Sequence, residues 1–413
     1  MRSINGTPEH VVVVGAGMVG LSTAWFLQEH GVRVTVVDRA GVAGGSSWGN
    51  AGLLTPGLAA PLAEPGALRY GLSSLGRPDA ALSVPLVPDM RTAGFLARFA
   101  ARCTTRAWRR GLADLGFLNT RALSAYDDLS AGGVEGAQTT SSMFVGFERD
   151  EQSTHLLTEI RAVAAAGVAV DAVRVESDRR PAQFTDAVTS VWELRDQRFI
   201  EPEPFLTSLA ASIRARGGEI LDGVTVRDVR HGSGPVFVDT YSTAPVRADA
   251  VVLATGAWIT RFAKPLGVRV RVQAGRGYSF SVETDQPATA PLYLPATRIA
   301  CTPYQGRLRV AGTMEFRHPD APMNPARIDA MIRAANPFLR VRDWSVQDAW
   351  VGSRPMSHDN LPLIGATRSP GVFVAGGHGM WGVLQGPVTG QLLAESIATG
   401  VTRPELAVFS PVR

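Results

Sequence analysis

The residues Gly15-Ala16-Gly17-Met18-Val19-Gly20 have the types and spacing needed to hold a pyrophosphate. Gly15 permits a tight turn, Gly17 lets the backbone approach a phosphate, and Gly20 lets a helix pack close to a strand. A helix beginning at Met18 and Val19 presents free N–H groups and its positive dipole end to that anion. Asp38, followed by Arg39, stands where a carboxylate accepts hydrogen bonds from ribose hydroxyls. Gly44-Gly45-Ser46-Ser47 offers small backbone and hydroxyl donors, and Asn50-Ala51-Gly52 offers a thin backbone to lie against a planar ring. Near the other end, Gly376-Gly377-His378-Gly379-Met380-Trp381-Gly382 opens a helix and forms a second donor cluster of the same kind. The first six residues alone are a weak signal. With an apolar strand before them and an acid at the right distance after them, they specify dinucleotide binding.

The elements that must position these residues are legible in the hydrophobic pattern. Residues 11–14 are a valine run, residues 18–30 have helical periodicity, Gly31 stops the helix, and residues 32–37 form a second β-branched run ending at Asp38. This is a βαβ unit. The segment 43–65 is too rich in glycine and proline for regular structure, and a long irregular stretch in this place is either functional or a plain surface loop, the first being the expectation. Residues 250–253 read as a buried strand that brings Gly256 to the carboxyl edge of the same sheet, and residues 372–375 read as another. Residues 154–166, 205–216 and 325–335 read as helices, and residues 267–282 and 300–313 as extended and alternating. The fold class is therefore α/β, with a second domain built on an antiparallel sheet.

Residues 90–110 read as one helix with Arg91, Arg98, Arg102 and Arg109 on one arc and Phe95, Leu96, Phe99 and Cys103 beside it. Such a helix either rests on an anionic membrane surface or packs its apolar flank on the core and leaves a solvated basic face. A further helix near 118–129 is expected to pack on it.

Composition excludes several classes. At 413 residues the chain exceeds one hydrophobic core, and 45% hydrophobic with 19% charged residues describes a globular protein. A net charge of +4 is too small to argue for nucleic acid. The two cysteines, Cys103 and Cys301, fit neither a disulfide framework nor a metal spacing, so unpaired thiols in a reducing compartment and no metal are expected. The N-terminal residues are polar, without the apolar stretch of a secretory signal, and no run is long enough to span a membrane.

Five motifs together carry a resemblance to the flavin-dependent D-amino-acid oxidase and dehydrogenase family, with its glycine and sarcosine oxidase relatives. They are VVVVGAGMVGLSTAW, SSWGNAGLLTPG, VVLATGAW, GSRPMSHDNLPLIG, and GGHGMWGV with TGQLLAE. The resemblance covers essentially the whole chain and is strongest toward the bacterial D-amino-acid dehydrogenase catalytic subunit. It implies a discontinuous Rossmann-like FAD-binding domain (residues 1–85, 151–265 and 346–413) and an antiparallel-sheet substrate-binding domain (residues 86–150 and 266–345). By motif position, Gly15, Gly17 and Gly20 meet the FAD pyrophosphate, Asp38 the adenosine ribose, and Ser46 and Ser47 the phosphate and ribitol. Val226 contacts adenine through its backbone, and Gly256 lies near the middle of the cofactor. Gly379, Met380, Trp381, Gly382 and Val383 surround the flavin pyrimidine edge. Arg354 holds the substrate carboxylate. Covalent members attach flavin through a cysteine in the C-terminal half; no cysteine here matches, so noncovalent FAD is expected.

The implied reaction is hydride transfer from the α-carbon of a small amino acid, D-configured by preference, to flavin N5. A planar guanidinium at Arg354 suits bidentate capture of a carboxylate. His378 either bonds the flavin or fixes its loop. Tyr278 is either a pocket residue or a packing aromatic. Alternatives are a sarcosine-, glycine- or proline-type secondary amine substrate, a noncatalytic FAD-binding subunit, or an NAD(P)-dependent dehydrogenase. Oxygen and a quinone are both admitted as acceptor, and the expected location is cytoplasmic, with peripheral contact at the inner face of the membrane as the alternative.

Overall fold

The strand His10–Val14 is buried along its whole length because its valines serve two cores at once. Val11 and Val13 pack with the first and last helices, while Val12 and Val14 pack toward a small three-stranded sheet. The strand pairs in parallel with Arg33–Asp38 on one side and Ala250–Leu253 on the other. A six-stranded sheet results, in the order Leu363–Ala366, Val372–Gly376, Ala250–Leu253, His10–Val14, Arg33–Asp38, Glu219–Asp222. All its pairings are parallel except that of Leu363–Ala366 with Val372–Gly376. This computed structural model describes residues 6–413 apart from 75, 78, 86, 87, 137, 138, 233 and 264, so part of the polar N-terminal stretch lies outside the described residues.

Helix Met18–Glu29 crosses one face of that sheet against helix Gly382–Thr399. Their approach depends on small residues: a Cβ on Gly390 would stand 2.6 Å from the backbone of Ser22, and one on Gly386 the same distance from the Met18 side chain. Pro387 lies inside the last helix and cannot donate to Val383. That carbonyl instead accepts from the Tyr126 hydroxyl at 2.6 Å, which ties in the long helix Thr105–Ala131.

The second layer is a ten-stranded, largely antiparallel sheet. At one end Val272–Glu283 lies between Asp343–Ser357 and Arg307–Phe316, antiparallel to both. The register against Arg307–Phe316 slips beside Arg276, and Thr313 there takes a left-handed backbone with φ 52°.

The α/β class and the separate antiparallel sheet match the sequence reading, but the domain boundaries do not. Ala172–Arg174 and Ser190–Phe199, expected in the FAD-binding part, are strands of the ten-stranded sheet. So is Leu53–Leu54, and Asp343–Ser357 runs across the expected boundary at 346. Helix Thr105–Ala131, expected with the substrate domain, buries Leu115, Leu118, Ala122 and Tyr126 in the core of the six-stranded sheet. Residues 90–110 are not one helix. Met90–Ala100 ends before Cys103, and the Thr104 hydroxyl caps the next helix by accepting from Ala107 N at 3.2 Å. Phe95, Phe99 and Cys103 turn inward, whereas Arg91, Arg98, Arg102 and Arg109 are exposed. Residues 300–313 form not one extended run but a hairpin of Ile299–Tyr304 and Arg307–Phe316. Both cysteines are unpaired and buried. Among the described residues, no helix is long and apolar enough to cross a membrane.

Candidate active site

The carboxyl ends of His10–Val14, Arg33–Asp38 and Ala250–Leu253 open on a cavity of about 150 Å³. Gly15, Gly17, Asp38, Arg39, Ser46, Val226 and Gly256 all line it. Gly15 has φ +115°, and its N–H donates to Val37 O at 2.8 Å, so the chain turns sharply into the helix. A Cβ on Gly20 would overlap the Gly15 carbonyl, which is why this turn requires glycine there. The helix has Gly17 as its N-cap with no side-chain acceptor. One of its first N–H groups, that of Met18, donates to Ser47 Oγ at 3.1 Å. Asp38 is held by three backbone donors: Ala16 N at 2.8 Å on one oxygen, and Ala40 N at 2.8 Å and Gly41 N at 3.1 Å on the other. Arg39 lies 4.2 Å over the Trp258 ring and pairs with Asp320 at 2.9 Å.

Ser46 also lines a second cavity, of about 350 Å³, which runs between the two layers. Gly49, Asn50 and Ala51 form one wall, Met380 and Trp381 another, and Trp350 and Arg354 on Asp343–Ser357 a third. The wall residues are fixed by hydrogen bonds. Gly49 O accepts from Ser279 Oγ at 2.7 Å, Asn50 Oδ1 from Gly52 N at 2.9 Å, and Ala60 O from Trp381 Nε1 at 2.9 Å. The loop of Ser46, Gly49, Asn50 and Ala51 and the C-terminal turn therefore border one cavity, and Ser46 also lines the smaller cavity at the first glycine turn.

Arg354 is the charged centre of that space. Its strand register places it opposite Gly275, on the same face as Gly277, whose missing side chain leaves room for the guanidinium. Nη1 donates to Thr313 O at 2.9 Å, the carbonyl aimed by the left-handed Thr313 backbone. Among the described residues no carboxylate lies within ion-pairing distance of Arg354. Burial pushes its pKa down to about 10, so it remains a cation at neutral pH.

Other expected site residues are placed differently. Tyr278 also lines the larger cavity, while its hydroxyl donates to Glu315 at 2.7 Å and accepts from Asn324 N at 3.2 Å. Its ring packs in the core of the second sheet as well as bordering the cavity, and its hydroxyl is committed to those two partners. His378 is 4% exposed and does not border the cavity; its Nε2 meets Thr389 Oγ1 at 2.9 Å. Burial lowers its pKa to about 3, so it is neutral and holds the loop to the last helix. Ser47 caps the first helix instead of lining the cavity. Met18 and Val19 contribute backbone at the turn, while their side chains pack in the first core. Gly379, Gly382 and Val383 flank the lining pair Met380 and Trp381 without bordering the space, as Gly52 does beside Ala51.

The cavity also has a far wall that the sequence reading did not identify. Glu64, Tyr293, Arg298 and two residues of helix Ser153–Ala165, His155 and Glu159, line it. No local motif announces them; the only available signal was the i, i+4 spacing of His155 and Glu159 on an amphipathic helix.

A family model described as DAO, FAD dependent oxidoreductase, matches residues 10–396. The chain is 30% identical over 408 residues to a D-amino acid dehydrogenase of Methylobacterium sp. (strain 4-46), covering 96% of each chain. A crystal structure of glycine oxidase from Geobacillus kaustophilus superposes with a TM-score of 0.74 at 20% identity, covering 98% of both chains. A structure of iminodiacetate oxidase from Chelativorans sp. BNC1 gives a TM-score of 0.69 at 18% identity, covering 97% of this chain and 98% of that one. At those identities the solved structures share the fold.

Proposed function

The chain belongs to the DAO family of FAD-dependent oxidoreductases, and from that premise we propose that it oxidises an amino acid, D-configured by preference, to the corresponding 2-oxo acid and ammonia. The residues present fit FAD. The Thr255 hydroxyl is buried without a partner on the wall of the smaller cavity, and the Gly15–Gly20 turn is a cradle that any side chain would fill. The Gly15–Gly20 backbone, Asp38, Ser46, Val226 and Gly256 would hold the adenosine diphosphate half. Asn50, Ala51, Met380 and Trp381 would border the ring. When bound, FAD supplies the acceptor for a hydride from the substrate α-carbon.

The chain itself supplies orientation. Arg354 takes the substrate carboxylate, with Thr313 O fixing one side of the guanidinium so that the remaining donors face the ligand. The α C–H bond breaks with its electron pair, the amine loses a proton to solvent, and a C=N bond forms in the substrate. Water then hydrolyses that imine to the 2-oxo acid and ammonia. The two electrons pass on to oxygen or a quinone. No side-chain base is assigned, since none is needed for an amine that enters unprotonated.

The observation that carries this reading is a partly buried cation, free of any carboxylate partner among the described residues, in the cavity bordered by Ser46, Asn50 and Ala51 and by Met380 and Trp381 of the C-terminal turn. The cavity extends well beyond Arg354, which favours an amino acid with a side chain over glycine. The exposed row Arg91, Arg98 and Arg102 next to exposed Met90 favours a membrane-borne quinone as acceptor. The test is anaerobic. Purified holoprotein should lose its visible flavin absorbance on mixing with a D-amino acid and retain it with the L-enantiomer. A protein that binds no FAD, or whose flavin is reduced by no amino acid, refutes the proposal.

A further inference from the structure

Glu64 ends the loop that enters helix Pro65–Ser73, and Glu159 and His155 stand one turn apart on helix Ser153–Ala165. Their side chains converge, with one ligand atom from each lying within 4.8 Å of the others. His155 Nε2 is 3.8 Å from Glu64 and 3.6 Å from Glu159, too far to hydrogen-bond either. The two carboxylates are only 20% and 31% exposed. Arg298 lines the same wall, but its guanidinium lies 4.7 Å over the Tyr70 ring, and among the described residues it makes no ion pair with either acid. Burial, and next the charge of Glu64, raise the Glu159 pKa. Two acids are thus held close together, partly out of water, with His155 within ion-pairing distance of both and the Arg298 charge only partly offsetting the upward shift at Glu159. A further positive group entering between the acids would be favoured there.

The place of this pair decides what the positive group is. It lines the cavity that also holds Arg354, so a ligand there meets a cationic wall and an anionic wall. We propose that the substrate is an amino acid whose side chain ends in a guanidinium or ammonium group, its α-carboxylate on Arg354 and its distal charge between Glu64 and Glu159. This rests on the amino-acid oxidase reading given above, and makes Glu64 and Glu159 the specificity-determining residues.

The experiment compares charged substrates with uncharged isosteres: D-arginine with D-citrulline, and D-lysine with D-norleucine. The holoenzyme should show kcat/KM about tenfold higher for the charged member of each pair. In E64Q/E159Q that ratio should fall to about one, and in E159K it should fall below one. Equal kcat/KM within each pair in the unmodified enzyme overturns the proposal, whether or not the variants fold. So does inhibition by zinc ion that E64Q/E159Q abolishes, combined with equal turnover of charged and neutral members, since the cluster is then a metal site. If the neutral substrates reduce the flavin and the charged ones gain nothing, only this inference fails. If none of the four nor any L-enantiomer reduces it, the underlying reading fails as well.

Discussion

Replacing Arg354 with methionine should separate stability from recognition. Burial holds the guanidinium pKa at about 10. Against an ordinary value of about 12.5, this is a penalty on the charged form of roughly 3 kcal/mol. The folded pKa lies below the unfolded one, so the penalty is fully present at every pH below about 10. Methionine removes the charge and its penalty while filling similar volume. It also removes the bond to Thr313 O, leaving a carbonyl unpaired at a cost of about 1–3 kcal/mol. The two changes offset, and the unfolding free energy of R354M should stay within about 1 kcal/mol of the parent. Substrate recognition has no such compensation. Losing one partner of a desolvated charge pair costs about 2–5 kcal/mol, or about 30-fold to about 5,000-fold in kcat/KM. Urea denaturation at one fixed FAD concentration measures the first quantity. Stopped-flow flavin reduction under nitrogen measures the second. A variant that unfolds far more easily, yet turns over substrate normally where folded, would show Arg354 to be structural and remove the reasoning.

Four further variants test the rest of the reading. In H378Q the acid limb of stability should flatten: with a folded pKa near 3 below an unfolded value of 6.5, His378 removes stability as pH falls from about 6.5 toward 3, at about 1.4 kcal/mol per pH unit, which urea titrations across that range can read. The same variant should keep the kcat/KM pH profile of the parent between pH 6 and 9, about the neutral range; a lost limb would restore a chemical role to His378. G277A should raise KM by about tenfold to a hundredfold, because the added methyl occupies the space of the Arg354 guanidinium, with only about 1–3 kcal/mol of destabilisation. G20V should abolish FAD retention on gel filtration, since its side chain overlaps the Gly15 carbonyl. Finally, R91E/R98E/R102E should lose cosedimentation with anionic liposomes while keeping reduction by substrate; an unmodified protein that never sediments removes the membrane-surface reading.

The nucleotide-binding half was legible because its signals are local. Gly15, Gly17, Gly20 and Asp38 fall within one βαβ unit, and the valine run around them leaves no alternative period. The C-terminal turn was legible for the same reason, although nothing in its own residues says that it faces the first turn; the sheet order supplies that. The rest depended on distant pairing. Ser190–Phe199 escaped notice because it carries Glu193, Arg195, Asp196 and Arg198, and Asp196 sits at φ 59°. Its neighbours in the ten-stranded sheet, not its own pattern, make it a strand. Tyr278 could not be assigned to pocket or core from sequence, and it serves both: its ring borders the cavity and packs in the second sheet. Ser46 and Ser47 are chemically alike, and only the turn geometry spends one on a helix cap and leaves the other at the junction of the two cavities. The Glu64–His155–Glu159 wall joins an irregular loop to a helix about ninety residues away, a proximity no periodicity encodes.

The order of the six-stranded sheet has a consequence for how the polypeptide is made. Its central strand is synthesised first, yet one of its two lateral partners, Ala250–Leu253, and the strand beyond that, Val372–Gly376, are made much later. While the ribosome is still translating the middle of the message, His10–Val14 has one open edge and an uncovered apolar flank. The nascent N-terminal half therefore exposes that flank during synthesis, and its dinucleotide cavity, walled by Ala254, Thr255 and Gly256, takes shape only after Ala250–Leu253 has left the exit tunnel.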